Sequence, residues 1–423
     1  MRWISWLILG WATLSTASQP QLTPPFPTND DPSNQIRFSN EAEADAARDA
    51  LIQYIWDGGL PTSVPIVHAD IALPPNFDDA QNIPWTLDPT LYTRIDWLQA
   101  WVADWDFFQN TLLIHPTLVN GNNQRLVIVH QGHVNWDQGL AAGIQETIEA
   151  VLAEGYTVAA HQMAAAGWGM IPFGDVSGNV PGHQGEIHWR NVGISAGIGV
   201  HESFMLNTGP CGGGWGFRLF LDDIIQTVNY WTSLPGSGPV SMVGTSGGGW
   251  STHMAAAIDP RITLSVPVAG AAPLYHKNVS PGSVGDYEQF WVPLFDEDID
   301  EIGEGGGVAT WLEVFALGGY GEDRRQIMVT NLNEGCCFGG TFPDSFENIV
   351  AAAVTGLGGG AWEHEYDPSN LHQINPNTID EILLPALIAL PEPPRALAQL
   401  AGLLGLSLLH RWKRRSRRPR EES

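Results

Sequence analysis

Two hydrophobic patterns alternate along the chain from about residue 125 onward. Short runs of consecutive apolar residues, such as Leu-Val-Ile-Val within Arg125–His130, are typical of strands buried on both faces of a parallel sheet. Segments between these runs, such as Leu140–Glu154, repeat their apolar residues at helical spacing and end at a glycine, here Gly155. The alternation predicts βαβ units, and therefore an α/β fold with a mostly parallel central sheet flanked by helices.

The same patterns predict the individual elements. Apolar and β-branched runs predict strands at Tyr92–Val102, Asp106–His115, Arg125–His130, Tyr156–Met163, Val240–Val243, Ile262–Val268, Gln326–Asn331 and Ala361–Tyr366. Helical spacing predicts helices at Asn40–Trp56, Leu140–Glu154, Phe217–Trp231, Trp250–Ile258 and Thr378–Leu390. The turn-forming residues of Val119–Gln124 predict a hairpin-like connection after the second strand.

The domain organisation follows from where the alternation begins and where it fails. Residues 19–89 form an N-terminal segment, of which 19–35 is rich in Pro, Asn and Asp and is predicted to be a mobile leader. The main domain is expected to span 90–390. Two stretches inside it do not alternate: about 167–216, rich in Gly, His and Trp, and about 271–322, acidic and aromatic. They are predicted to be lid-like insertions; surface decoration is the alternative.

The beginning of the chain has the pattern of a secretory signal. A single arginine precedes the apolar run Trp3–Ala12, and small residues follow as far as Ser18. This run is too short to span a membrane, so we interpret residues 1–18 as a cleaved signal peptide.

The end of the chain, residues 391–423, combines three features in a fixed order. Pro391–Pro394 contains Pro-Glu-Pro, an apolar run covers Ala396–Leu409, and a basic cluster follows at Arg411–Arg418. This order resembles the PEP-CTERM sorting tail of Gram-negative bacteria. The resemblance implies transient membrane insertion through the tail, cleavage near Pro391–Pro394 by an exosortase-type enzyme, and a final location in the periplasm, at the outer surface or in the extracellular matrix. A simple C-terminal anchor is the alternative.

Charge and cysteine content narrow the choice of partners. The formal charge is −27, which excludes nucleic acid as a partner. Three cysteines suit an oxidising compartment, and Cys211 is expected to pair with Cys336 or Cys337. A bridge between the adjacent Cys336 and Cys337 is disfavoured because such a bridge is strained. None of the three has metal-site spacing, so neither a metal nor another cofactor is predicted.

The segment from Pro239 to Trp250 contains the motif Gly244-Thr-Ser246-Gly-Gly248 between a predicted strand and a predicted helix. In this context the serine occupies a strained strand-to-helix turn that requires small neighbours. The turn exposes the Ser246 hydroxyl beside the N–H groups of the helix start, where negative charge is stabilised. Ser246 is therefore the candidate nucleophile; a glycine-rich turn without chemical function is the alternative.

A serine nucleophile needs a base and an acid that orients this base. His372, between the last predicted strand and the last helix, is the candidate base, with His364 as its competitor within the strand. Glu334 follows the strand Gln326–Asn331 and is the candidate acid. Asp344 and Asp367 are the alternative acids.

Two N–H donors are needed to hold the oxyanion. Gly247 follows the nucleophile and is expected to supply one. The other is expected from the loop after the strand Arg125–His130, where the candidates are Gln131, Gly132 and His133. His133 is also expected to line the substrate pocket. The alternative for His130 is a structural role at the end of the strand.

Together these motifs resemble the α/β-hydrolase fold, and specifically a secreted bacterial subgroup of serine hydrolases. The similarity covers about residues 90–390 and includes Asp286-Tyr-Glu-Gln and Asn333-Glu-Gly-Cys-Cys-Phe-Gly339. Position 334 departs from the subgroup, in which aspartate is expected. The resemblance implies that Ser246 is the nucleophile, Glu334 the acid and His372 the base.

The resulting hypothesis is a secreted or surface-sorted serine hydrolase that cleaves carboxylic esters through an acyl-serine intermediate. Its substrate is expected to be a small-molecule or glycan ester. A serine peptidase of the same fold is one alternative. A catalytically silent matrix or carbohydrate-binding module is the other, since tryptophan-rich insertions suit sugar binding.

Overall fold

The computed structural model describes residues 23–71, 87–102, 107–132, 143–164, 177–178, 187–188, 215–280, 285–300 and 305–390. Its strands are β1 Ile66–His68, β2 Tyr92–Val102, β3 Phe107–Pro116, β4 Leu126–Gln131, β5 Thr157–Gln162, β6 Ser177–Gly178, β7 Ile187–His188, β8 Val240–Thr245, β9 Ile262–Val268, β10 Arg325–Asn331 and β11 Ala361–Asp367. Its helices are α1 Glu41–Trp56, α2 Ile144–Ala153, α3 Arg218–Ser233, α4 Gly247–Ile258, α5 Leu274–Val279, α6 Tyr287–Phe290, α7 Val292–Phe295, α8 Trp311–Gly319, α9 Glu347–Gly356 and α10 Leu384–Ala389. A π-helical turn, Thr378–Leu383, leads into α10.

One sheet of nine strands runs in the order β1-β2-β3-β5-β4-β8-β9-β10-β11. The strands from β5 to β11 in this order are parallel to one another. Strands β1, β2 and β3 join one edge through antiparallel pairing. This arrangement confirms the predicted α/β class with a mostly parallel sheet.

The hydrophobic core lies on both faces of this sheet. All six residues of β4 are buried, and its four apolar residues alternate between two core clusters. Leu126 and Ile128 belong to the cluster that contains Trp250 of α4, whereas Val127 and Val129 belong to the cluster on the opposite face. Since successive residues of a strand point to opposite faces, a continuous apolar run is what a doubly covered strand requires.

The segment Val119–Gln124 does not connect a hairpin, so that prediction is wrong. Strand β3 pairs with β5, for example Leu113 with Ala159, and β4 lies beyond β5. Residues Gly121–Gln124 form a short 3-10 turn that carries the chain past β5. The edges of β4 are occupied by its two parallel partners, β5 and β8, which leaves no edge for β3.

The predicted mobile leader is docked from residue 23 onward, which corrects the sequence-based expectation. Phe26 is only 3% exposed, and its backbone N–H donates to Asn278 Oδ1 at 2.5 Å. The Asn278 amide in turn donates to the Phe26 carbonyl at 3.0 Å. Farther along, the Arg37 guanidinium pairs with the buried Glu313 carboxylate at 2.7 Å. The segment is therefore part of the folded structure.

The last part of the predicted second insertion is a core helix. Helix α8, Trp311–Gly319, is buried along its whole length and packs against α4. Its N-terminus has a reciprocal cap: the Thr310 hydroxyl accepts from the Glu313 N–H, and the Glu313 carboxylate accepts from the Thr310 N–H. The expectation of a lid therefore does not hold for these residues.

Several predictions fall outside the described residues. The signal peptide at 1–18 and the sorting tail at 391–423 do so entirely, and most of the insertion at 167–216 does as well. Within the ranges that the structure describes, no helix is long and apolar enough to cross a membrane.

Candidate active site

Ser246 occupies the turn between β8 and α4. Its backbone has φ +58° and ψ −126°, a conformation that non-glycine residues rarely adopt. The turn is fixed on both sides: the Ser246 N–H donates to the Val268 carbonyl at 3.0 Å, and its carbonyl accepts from the Trp250 N–H at 2.9 Å. Ser246 is half-buried, whereas every residue of α4 is buried. The turn therefore presents this side chain at an otherwise closed surface.

The flanking glycines are required by close backbone contacts. A Cβ atom on Gly244 would lie 2.3 Å from the Gly248 carbonyl oxygen, and one on Gly248 would lie 2.1 Å from the His130 carbonyl oxygen. Such distances are not tolerated, because these atoms belong to rigid backbone. The motif therefore holds the Ser246 turn tightly against the end of β4.

The candidate acid and base lie after neighbouring parallel strands. Glu334 follows β10, and His372 follows β11. His372 Nδ1 lies 2.9 Å from Glu334 Oε2. The Glu334 side chain is fully buried, while that of His372 is 24% exposed. A buried carboxylate thus holds an imidazole whose ring reaches the surface, which is the arrangement that orients a general base.

The Glu334 carboxylate has two further contacts that fix its position. The Phe338 N–H donates to Oε1 at 2.5 Å, and the Asn331 amide lies 3.5 Å from Oε2. A Cβ atom on Gly339 would lie 2.3 Å from the Glu334 carbonyl oxygen, so the loop closes tightly around the acid. These contacts select one orientation of the carboxylate.

The competing acids and base are engaged elsewhere. His364 lies within β11 and contacts Thr330 Oγ1 at 3.0 Å; burial lowers its pKa. Asp344 accepts from the Tyr366 hydroxyl at 2.5 Å. Asp367 accepts from the Ser369 N–H and from the Thr378 hydroxyl. The contacts of these three residues stabilise β11 and the helical segment after it. Glu334 with His372 is the acid–base contact that the structure forms among the candidates.

The loop after β4 lies directly against the nucleophile. A Cβ atom on Gly132 would lie 2.6 Å from Ser246 Cβ and 3.1 Å from its Oγ. The Gln131 side chain is turned into the sheet, where it donates to Gln162 Oε1 at 3.2 Å. Gly247 opens α4, and N–H groups in the first turn of a helix have no acceptor within the helix. Backbone from both predicted donors of the oxyanion hole thus adjoins Ser246; His133 lies outside the described residues.

His130 has structural contacts. It is fully buried, its Nδ1 lies 2.8 Å from the Gln131 carbonyl oxygen, and its ring stacks on that of His161. His161 in turn contacts the Asp223 carboxylate at 2.8 Å. The histidine at the end of β4 therefore belongs to a buried polar network beneath the site.

Two residues behind the acid–base pair were missed by the sequence analysis. The Phe338 ring stacks on His372, with centroids 6.2 Å apart. The Lys277 side chain is fully buried, and its Nζ lies 5.3 Å from the centroid of the Phe338 ring. Burial lowers the pKa of Lys277 to about 7 and raises that of the nearby Glu297 to about 8. Lys277 is the only lysine before residue 413, and this rarity could have drawn attention to it in the sequence.

The cysteine pairing differs from the prediction. Cys336 and Cys337 form a disulfide with each other, and Cys211 lies outside the described residues. The prediction considered only the strain of a bridge between adjacent residues and not the loop around it. In the structure both cysteines lie within the tight loop between Glu334 and Phe338, whose closure sets their backbone. The bridge therefore lies in the loop that carries the acid.

The comparisons with known proteins concern the fold. No family model matches the chain, and no curated protein matches its sequence. Among solved structures, Methylesterase BT1017 is similar with a TM-score of 0.51 and 13% identity, over 85% of this chain and 68% of that one. The chain has the α/β-hydrolase fold. An identity of 13% shows the shared fold alone. In α/β-hydrolases the triad follows the order Ser, acid, His, and the candidates Ser246, Glu334 and His372 occur in that order along this chain.

Two further solved structures are similar to this chain at lower TM-scores. Acetyl xylan esterase from Paenibacillus sp. R4 has a TM-score of 0.49 and 15% identity over 85% of this chain and 98% of that one. An acylaminoacyl peptidase from Pyrococcus horikoshii has a TM-score of 0.40 and 10% identity over 71% and 40%.

Proposed function

We propose that the chain is a serine hydrolase of carboxylic esters, with Ser246 as nucleophile, His372 as base and Glu334 as acid. The observation that carries the proposal is the 2.9 Å contact between His372 and the buried Glu334, made by loops at the same sheet end as the Ser246 turn. A carboxylate on Nδ1 fixes the tautomer in which Nε2 is free to accept a proton.

The proposed reaction proceeds in two halves. His372 Nε2 takes the proton of the Ser246 hydroxyl as Oγ bonds to the ester carbonyl carbon. The bond to the alcohol oxygen then breaks, the alcohol leaves with the proton from His372, and an acyl-serine remains. In the second half, His372 deprotonates a water molecule that attacks the acyl-serine, and it returns the proton to Oγ.

Negative charge on the carbonyl oxygen is assigned to two backbone donors. We assign one to the Gly247 N–H at the start of α4, which also contributes the positive end of the helix dipole. We assign the other to the loop of Gln131 and Gly132, whose backbone lies against Ser246. Such fixed donors stabilise the transition state because they need no reorganisation as charge develops.

For the substrate we propose an uncharged ester on a small molecule or a glycan. The formal charge of −27 disfavours anionic substrates at long range. The similar Methylesterase BT1017 is named as an esterase, which supports an ester as the substrate class here. His133 is the proposed pocket residue.

The test uses the purified full chain and p-nitrophenyl esters of increasing acyl length. Ser246→Ala is the variant, and Ser251→Ala, in the buried part of α4, is the matched control. We expect turnover that disappears in Ser246→Ala and survives in the control, and a serine-directed phosphonate that labels Ser246. A folded chain with neither turnover nor label would overturn the proposal. Peptide cleavage or glycan binding by that chain would then identify one of the two alternatives.

We further propose export and surface sorting through the two chain ends. The proposal rests on the sequence of residues 1–18 and 391–423. The mature protein isolated from its host should begin near residue 19 and end between Pro391 and Pro394, as read by intact mass. A mass that retains the basic cluster Arg411–Arg418 would contradict cleavage of the tail.

A further inference from the structure

The Cys336–Cys337 bridge lies beside the imidazole of His372. One ring nitrogen of His372 and the two sulfur atoms all lie within 4.8 Å of one another. Cys336 is exposed, and the other two residues are half-buried, so solvent reaches the group. Within the ranges that the structure describes, this is the one set of three His, Cys, Asp or Glu side chains close enough together to hold a metal ion.

While the bridge is intact, the two sulfurs are bonded to each other and are not metal ligands, because the ligand is the thiolate. We propose that reduction of the bridge converts this group into a site for a soft divalent cation such as Zn²⁺ or Cd²⁺. Cys336, Cys337 and His372 supply its three ligands. Two thiolates and one imidazole are a donor set that such cations prefer.

The geometry supports a single ion. In a tetrahedral zinc site, ligand atoms lie about 3.5–3.8 Å from one another, given Zn–S near 2.3 Å and Zn–N near 2.1 Å. The three ligand atoms here already lie within 4.8 Å, so small side-chain rotations bring them into range. Water completes the fourth position, as at zinc sites with three protein ligands.

His372 is already oriented for such a role. Its Nδ1 contacts Glu334 at 2.9 Å, so the proposal assigns Nε2 to the metal. A carboxylate on the second nitrogen of a metal-bound histidine is a recurring outer contact that fixes the ring and strengthens the ligand. The same contact that prepares His372 as a base therefore prepares it as a ligand, and the two uses exclude each other.

The chemistry is balanced with a phosphine as reductant. The phosphine gives two electrons to the disulfide and becomes a phosphine oxide, with its oxygen taken from water; Cys336 and Cys337 each gain one proton. The cation then replaces the two thiol protons, which are released to the solvent. With Nε2 bound to metal, His372 has no lone pair for the Ser246 proton. This loss of activity, unlike metal binding itself, rests on the proposed function.

The experiment measures Cd²⁺ uptake by the full chain in a Cys211→Ser background, which removes the third thiol. Protein is reduced with phosphine, desalted without oxygen, and titrated with Cd²⁺ while cadmium–thiolate absorbance and bound metal are measured. We expect one ion per reduced chain and none on the oxidised chain or on Cys336→Ser/Cys337→Ser. His372→Gln should lower the affinity by at least the roughly 10–100-fold that loss of an outer contact costs, and His364→Gln should leave it unchanged.

The proposal is overturned if the reduced chain takes up no metal, if uptake persists without the two cysteines, or if His372→Gln leaves the affinity unchanged. Ester turnover is measured on the same samples with Zn²⁺, which should inhibit the reduced chain and spare the oxidised one. Metal uptake without any ester turnover would refute the proposed function and keep the metal site. Turnover that no cation affects, together with no uptake, would refute the metal site and keep the function.

Discussion

Replacing Gly132 by alanine is expected to damage catalysis more than stability. The new Cβ atom would lie 2.6 Å from Ser246 Cβ and 2.8 Å from the Thr245 carbonyl oxygen. Carbon atoms in contact need about 3.5–4.0 Å, so the loop or the serine turn must move by about 1 Å. A displacement of this size at a catalytic centre costs roughly 100-fold in rate, and loss of one oxyanion donor costs about 10²–10³-fold.

The corresponding transition-state free energy is about 2.7–4 kcal/mol, since each 1.36 kcal/mol changes a rate tenfold. Overpacking should lower the free energy of unfolding by about 1–3 kcal/mol. The assay is kcat/KM on p-nitrophenyl acetate together with urea unfolding. Gly356→Ala is the matched control, because a Cβ atom there meets no atom within 4 Å. A Gly132→Ala enzyme within about threefold of the wild type would refute the argument that this loop holds the oxyanion.

Three further predictions test the groups around the site and the core. Glu334→Gln should lower kcat by about 10⁴-fold at an unchanged melting temperature, and wild-type kcat would assign the acid elsewhere. Burial lowers the pKa of Lys277 to about 7, so the folded chain releases a proton that the unfolded chain keeps up to about pH 10.5. The free energy of unfolding relative to Lys277→Met should therefore rise, by at most about 5 kcal/mol, as the pH rises from 7 to 10.5; a difference that stays constant would contradict burial of this amine. Burial raises the pKa of Asp222 to about 7, so the folded chain binds a proton that the unfolded chain releases above 3.8. Stability relative to Asp222→Asn should therefore be greatest below pH 3.8 and fall, by at most about 4 kcal/mol, as the pH rises through 7; a difference that does not vary with pH would show an ordinary pKa.

The fold and the acid–base contact could be predicted because their signals are local. The apolar run of β4 indicates burial on both faces of the sheet, and Gly248 indicates a close backbone contact that excludes a side chain. Glu334 and His372 were identified by their positions after strands, since parallel strands end at the same sheet edge. Each inference needed only a few neighbouring residues.

The features that were missed depend on distant partners or lack a period. Helix α8, Trp311–Gly319, is buried on all sides, and a helix buried all round has no amphipathic pattern. Lys277 and Phe338 are 61 residues apart in the chain, so the local sequence around one does not indicate its contact with the other. The turn residues after β3 are the same for a hairpin and for a crossing, and only the later strand β5 decides between them.

The docked segment at the N-terminus has a consequence for biosynthesis. Phe26 contacts Asn278, 252 residues later in the chain. Ribosomes add about 5–20 residues per second, so roughly 13–50 s pass between the synthesis of the two partners. During that time the aromatic ring of Phe26 has no docking surface and remains accessible to chaperones. Docking of the N-terminal segment is therefore a late step in the maturation of the newly made chain, however fast its core folds.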